Sequence, residues 1–396
     1  GMEAQPCRTD GSISPRLFNI NVMWNKQLKE IEKILPYTYN ETDIINLLKT
    51  YYPHEWKSVE YKKQYYDKKD KYLIKRFGKA RYKMPLAEEI IQKNGKFQYL
   101  LSDKTKKNYC NSFNENIVEN NKAVLWRKRK NKIVRIDKKI SYAKAKTQMV
   151  TPNFLDQLIG LYERKNTAQK DKVYIIYELE KYYNPKVINF FFKLNDTELN
   201  RQLRKEAFHH LQSFNYQPGL RRQKYMQVHT KNKKRKGYLK KVYPYETYFV
   251  PHNPDELEYR IENGKEQKIK SYDYFISHSS KDSKLVQSII TYENSKGKNI
   301  FCDWINDSDY LKRNLLCEAT LKVIEWRLRQ SEAIIFLKTC NSTESVWCKY
   351  ELNYFAELNK PIYYLDENKV SKGDFSLVKY DIEEFADPNY KKMELM

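Results

Sequence analysis

The chain has 396 residues with 74 Lys/Arg against 50 Asp/Glu, a net charge of +24, and is long enough for two or three domains. Its mean hydropathy is −0.86 and no apolar run approaches the ~20 residues of a spanning helix, so a membrane-spanning protein is excluded. No secretory signal pattern opens it, so a cytoplasmic protein is expected.

Hydrophobic residues make up 40% of the chain and aromatics 14%, enough to build cores. Six cysteines (Cys7, Cys110, Cys302, Cys317, Cys340, Cys348) show no C-x-x-C spacing, and reduced thiols are expected. Of the histidines only His209 and His210 are close in sequence, and on a helix they point about 100° apart, so no metal is expected. Ten glycines form neither G-x-G-x-x-G nor G-x-x-x-x-G-K, so a bound nucleotide needs another cradle. Charge divides the chain: residues 1–270 carry 57 basic and 30 acidic side chains, whereas 271–396 carry 17 and 20. That break predicts two parts with different roles.

In chain order, Tyr61–Lys83 interleaves ten Lys/Arg with Tyr61, Tyr65, Tyr66, Tyr72 and Tyr82. Lys122–Lys146 holds eleven basic residues and one acid, and reads as a β-hairpin. Its strands are Ala123–Trp126 and Ile133–Ile136, and its basic loop contains Arg127, Lys128, Arg129 and Lys130. Arg221–Lys241 has ten basic residues and no acid, among them Lys233, Lys234, Arg235 and Lys236. Such stretches suit phosphate neutralisation and base stacking, which makes nucleic acid a candidate partner. They equally suit a solvated surface.

Helical periodicity covers Pro152–Arg164, with Phe154, Leu155, Leu158, Ile159 and Tyr162 on one face, and, less cleanly, Lys172–Lys181. Asn184-Pro185 reads as an N-cap and first-turn proline opening Lys186–Leu194. Asp196 is expected to cap a helix bearing Leu199, Leu203, Ala207 and Leu211. Asn253–Lys270 reads as a linker or a last strand pair. Residues 1–265 are thus a basic, mainly α (α+β) region of one or two subdomains whose pattern specifies no chemistry.

From Tyr272 the pattern alternates strand and helix: strands at Tyr272–Ser277, Asn299–Cys302, Ala333–Leu337 and Ile362–Leu365, with helices after Ser280, at Leu315–Leu328 and at Ser345–Leu358. This spacing predicts an α/β fold with a parallel sheet and ligands beyond the carboxyl ends of its strands.

Four segments in order, YDYFISHSSKD at 272–282, CDWINDSDYL at 302–311, AIIFLKTCNS at 333–342 and SVWCKYEL at 345–352, resemble a bacterial-type Toll/interleukin-1 receptor (TIR) domain over residues 270–396. The resemblance implies a flavodoxin-like parallel sheet of five strands. In many bacterial and plant members it implies cleavage of NAD, as substrate and not as cofactor, to nicotinamide and ADP-ribose or a cyclic isomer; other members are signalling adaptors.

The W-x-x-x-E pattern of the enzymes falls on Trp347 and Glu351, one helical turn apart. The resemblance makes Glu351 the catalytic carboxylate, which would stabilise the cationic ribose as nicotinamide leaves. Trp347 would stack on the substrate. Ser277, His278, Ser279 and Ser280 after the first strand, and Asp303 and Trp304 after the second, complete the expected substrate site. Ser279 and Ser280 stand where some members carry arginines, and the covering loop Asn306–Arg313 lacks a Pro-Gly. Fusion of such a domain to a larger region suggests an antiviral effector that self-associates through the TIR domain. Two alternatives remain at this stage: a non-catalytic TIR adaptor, and a nucleic-acid-binding protein with a TIR appendage.

Overall fold

The computed structural model describes residues 15–147, 151–308, 310–311 and 317–392. The chain divides into two compact units, residues 1–142 with 184–246, and residues 143–183 with 247–396. This differs from the expected division into 1–265 and 270–396, because residues 143–183 and 247–268 cluster with the sheet.

Among its described residues the first unit is helical. Helices Pro15–Ile31, Glu41–Tyr51 and Pro53–Phe77 bury Trp24, Leu28, Ile44, Leu48, Trp56 and Val59 in a common core. Residues 123–136, expected as a hairpin, lie inside one helix, Glu115–Lys146. Val118, Leu125, Ile133, Ile136 and Ala143 are its buried positions, a helical spacing that two short apolar runs had masked. Arg129 is consumed by this fold: its Nε donates to Tyr51 O at 2.9 Å, it pairs with the buried Glu55, and it lies over the Tyr52 ring. Arg127, Lys128 and Lys130 are exposed.

Tyr61 and Tyr65 are core residues and no stacking platform, and the Tyr65 hydroxyl donates to Asp196 at 2.9 Å. Asp196 therefore caps nothing. Asn200 opens the helix Arg201–Ser213 by accepting from Leu203 N, while Asn184 caps Pro185–Thr197 as expected.

In the second unit, the strands β1 (Tyr272–Ser277), β2 (Ile300–Phe301), β3 (Ser331–Lys338), β4 (Ile362–Asp366) and β5 (Val378–Lys379) form one sheet in the order β2-β1-β3-β4-β5. The first four are mutually parallel, and β5 joins antiparallel. The unbroken apolar run of β3 is explained by burial on both faces. Ile334 and Phe336 face a core with Cys348, Leu352 and Phe355, whereas Ile335 and Leu337 face one with Val286, Ile289 and Ile290. Residues 253–268 form two helices, Pro254–Asn263 and Lys265–Lys268, in place of the expected linker. Asn253 caps the first, and Leu257 and Ile261 are buried one turn apart. The described cysteines, Cys110, Cys302, Cys317, Cys340 and Cys348, are all free.

A buried charge cluster ties these helices to the sheet unit. Arg327 and Asp307 are both fully buried and paired in a bidentate geometry at 2.9 and 3.2 Å. Arg327 also donates to Gln267 and Gln330. Burial alone would raise the Asp307 carboxyl, but Arg327 and Lys270 hold it below the usual carboxylate range. Lys270 meets Glu178 at 2.7 Å, and burial brings its ammonium down to about 8. Removing one partner of such a pair strands the other charge away from water. Arg327→Met is therefore expected to lower stability by about 3–5 kcal/mol in urea unfolding, and adding Asp307→Leu to recover most of the loss.

Candidate active site

β1 and β3 are neighbours in the sheet, yet the chain leaves them toward opposite faces. The helix Ser283–Ser295 packs on one face and Val346–Glu357 on the other. A crevice opens at the carboxyl ends of strands at such a switch point. Asp282 accepts from Thr339 Oγ1 at 2.6 Å and Asn341 Nδ2 at 2.9 Å and so ties the segment after β1 to that after β3.

The crevice holds a cavity of about 500 Å3, within the ~300–1,000 Å3 of small-molecule sites. His278, Ser279, Ser280, Asp303, Trp304, Trp347 and Glu351 all line it, brought together from the ends of β1 and β2 and from one helix. Ser277 does not. It is wholly buried behind the wall, and its hydroxyl influences Glu351 and Cys348.

Ser345 caps Val346–Glu357 by accepting from Cys348 N, which fixes where the helix starts and so which residues face the crevice. Cys348, Leu352 and Phe355 take the sheet side; Trp347 is half-buried beside them. Glu351 lies one turn after Trp347, only 7% exposed, and its Oε2 is buried without a hydrogen-bond partner. Burial first and the Asp303 charge second push its carboxyl well above the usual range, and Ser277 offsets only part of this. Among the described residues no lysine or arginine lines the cavity. The two described carboxyls that face it, Asp303 and Glu351, suit a positively charged guest.

His278 has both nitrogens engaged. Trp304 Nε1 donates to His278 Nε2 at 3.1 Å, and an indole nitrogen can only donate. His278 therefore carries its hydrogen on Nδ1 and donates it to Ile276 O at 3.1 Å. The pair holds the Trp304 ring at the cavity wall. Donor atoms of His278, Cys302 and Asp303 lie within 4.8 Å of one another, which sequence spacing did not reveal. A cation there would compete with the indole for His278.

Sequence reasoning missed Ser283, Leu311, Thr320, Ile324 and Ser345 in the lining. Ser345 carried a signal as the N-cap before an apolar stripe; the others meet only through packing. Leu311 belongs to the expected covering loop, of which residues 309 and 312–313 lie outside the described ones. Its neighbour Tyr310 is buried with Leu257, Ile261 and Val323.

Because the native state favours the protonated Glu351 carboxyl, it binds a proton at pH values where the unfolded chain has released it. Stability from this group is therefore complete below the ordinary carboxylate range and falls as pH rises toward the raised native value. Glu351→Gln removes that loss. Its thermal midpoint should exceed the parent's at pH 8, by the equivalent of about 1–3 kcal/mol, and converge on it near pH 4.

A profile described as the TIR-like domain of Thoeris protein ThsB matches residues 275–372. The chain is 34% identical over 363 residues to a protein named putative cyclic ADP-D-ribose synthase TIR2 of Cytobacillus dafuensis, covering 92% of this chain and 93% of that one. It is 30% identical over 118 residues to a probable 3′ cyclic ADP-D-ribose synthase ThsB′ of Bacillus cereus (strain MSX-D12), a match spanning 30% of this chain and 60% of that protein. No solved structure matches the chain significantly. Nearly full-length likeness to the first relative, with a TIR domain at the same crevice-bearing sheet, establishes that this chain belongs to the TIR protein family of that Cytobacillus protein.

Proposed function

We propose that the chain cleaves the bond between nicotinamide and ribose in NAD and releases nicotinamide with ADP-ribose in cyclic or linear form. The observation that carries this reading is the Glu351 carboxyl, with Oε2 unpartnered, on a cavity that contains a second carboxyl and, among the described residues, no lysine or arginine. NAD brings the missing positive charge. Its pyridinium enters the acidic end, and its departure moves that charge to the ribose, where an ionised Glu351 stabilises it more than in the ground state.

The leaving group departs neutral, so no general acid is required. The acceptor, a water or a nucleophile of the bound ADP-ribose part, can pass a released proton to Glu351, whose proton affinity burial raises. Trp304 and Trp347 wall the reacting centre and reduce access of bulk water, which favours the internal acceptor. Ser279, Ser280 and Ser283 offer hydroxyls on the cavity lining to the phosphates. His278 acts through Trp304 and takes no proton.

The relatives' names as cyclic ADP-ribose synthases support the cyclic product. The match to the TIR-like domain of Thoeris protein ThsB supports the reading of the chain as an antiviral effector. No helix among the described residues is long and apolar enough to cross a membrane. We assign activation to self-association of the TIR domain and to a trigger received by the first unit.

The test is to incubate concentrated protein with NAD, follow nicotinamide release and separate the products by chromatography. Glu351→Gln should cost about a hundred- to a thousand-fold in turnover, the scale of losing one transition-state contact. Equal turnover by the variant would remove Glu351 from the mechanism, and none by either protein under crowding would favour a non-catalytic adaptor. Bound pyridinium lowers the carboxyl's proton affinity, so the acid limb of kcat should lie at lower pH than that of kcat/KM.

A further inference from the structure

The first unit contains a helix that neither packing nor electrostatics explains. Lys233–Lys241 carries six basic residues, no acid and no buried residue. Lys233, Lys234 and Arg235 occupy its first turn, the positive end of its dipole, where cations are unfavourable. Lys236 and Lys240 stand a like-charged turn apart. At nine residues it is also too short to be stable alone in water. Local conflict of this kind concentrates at functional sites.

What the helix does instead is wall a second cavity, of about 920 Å3, facing the segment 223–229. Lys224, Lys236, Lys240 and His229 line it, and no Asp or Glu does. None of the three lysines makes an ion pair among the described residues. The far wall is rigid: Asn200, wholly buried, donates to Tyr243 O and Glu246 O at 2.8 Å each, and the Tyr243 hydroxyl donates to Glu198. On this anchored turn Tyr245 stands 70% exposed at the cavity. A bare aromatic face beside lysines that make no ion pair supplies the two components with which a protein holds unpaired bases and their phosphates.

We propose that this cavity binds single-stranded nucleic acid. Lys224, Lys236 and Lys240 neutralise successive phosphates, and Tyr245 stacks on a base. A duplex keeps its bases stacked internally and would leave that ring idle. Among the described residues, this basic stretch combines a concavity, lysines without an ion pair and an exposed ring on the lining; in the stretch 61–83 Tyr61 and Tyr65 are buried, and in 122–146 Arg129 is paired.

The experiment is fluorescence anisotropy of a labelled mixed-sequence 15-nucleotide single strand, DNA and RNA, with the full chain. Three phosphate contacts predict a log–log salt slope near −2, about a 20-fold loss of affinity between 50 and 200 mM salt. Lys236→Ala/Lys240→Ala should bring the slope to about −0.7. Tyr245→Ala should weaken binding about five- to a hundred-fold with the slope unchanged. Lys128→Ala/Lys130→Ala, exposed lysines elsewhere in the unit, should do neither. Equal loss from that control pair would mean diffuse surface charge and overturn the proposal. So would a duplex or inorganic polyphosphate binding as tightly as the single strand, or a Tyr245 variant of unchanged affinity. NAD turnover is not part of this readout, so its failure and that of the enzymatic reading are separable.

Discussion

A buried carboxyl that has no described lysine or arginine beside it is the constraint around which the second unit's crevice is arranged. Glu351 is costly there in its charged form, and the rest of the crevice makes that cost useful and not merely destabilising. The Asp282 bonds to Thr339 and Asn341 hold the two strand ends apart at a fixed distance, and the His278–Trp304 bond keeps an indole as the wall. Among the described residues the lining has two carboxyls and no lysine or arginine, which in the proposed reaction favours a cationic guest.

The same unit shows how a TIR sheet is joined to sequence outside the 275–372 profile. Asp307 and Tyr310 follow the short helix that bears Asp303 and Trp304. Asp307 is gripped by Arg327, which also holds Gln267, and Tyr310 sits among Leu257 and Ile261 of the helix Pro254–Asn263 and under Lys181. Leu311, the next residue, lines the cavity. Asp307, Tyr310 and Leu311 thus connect the crevice to Gln267 and to the helix Pro254–Asn263.

Much of the site was legible in one dimension. The four TIR-like segments located the strand ends, and the four-residue spacing of Trp347 and Glu351 with the apolar stripe Cys348, Leu352 and Phe355 oriented the helix. The errors share a cause. Ala123–Trp126 and Ile133–Ile136 were short enough to fit either period, and only the longer repeat through Val118 and Ala143 distinguishes a helix. Asn253-Pro254 bears the same capping signature as Asn184-Pro185, which was read correctly, but polar flanks hid the Leu257–Ile261 pair. Ser277 looked like a ligand-facing serine because the alternation of a strand does not say which face the crevice takes.

Local order in the chain therefore determined the TIR identity of the C-terminal third, the helix starts set by Asn and Ser caps, and the candidate carboxyl. These depend on neighbours within a turn or a strand, and such periods are written directly in the residues. Tertiary structure alone decided that Glu351 looks into a cavity, that Tyr65 and Arg129 are spent on the core while Lys236 and Lys240 stay unpaired, and that Leu311 is tethered from behind. Each of those outcomes is set by what another segment, far away in sequence, brings against the side chain, and spacing carries no record of it.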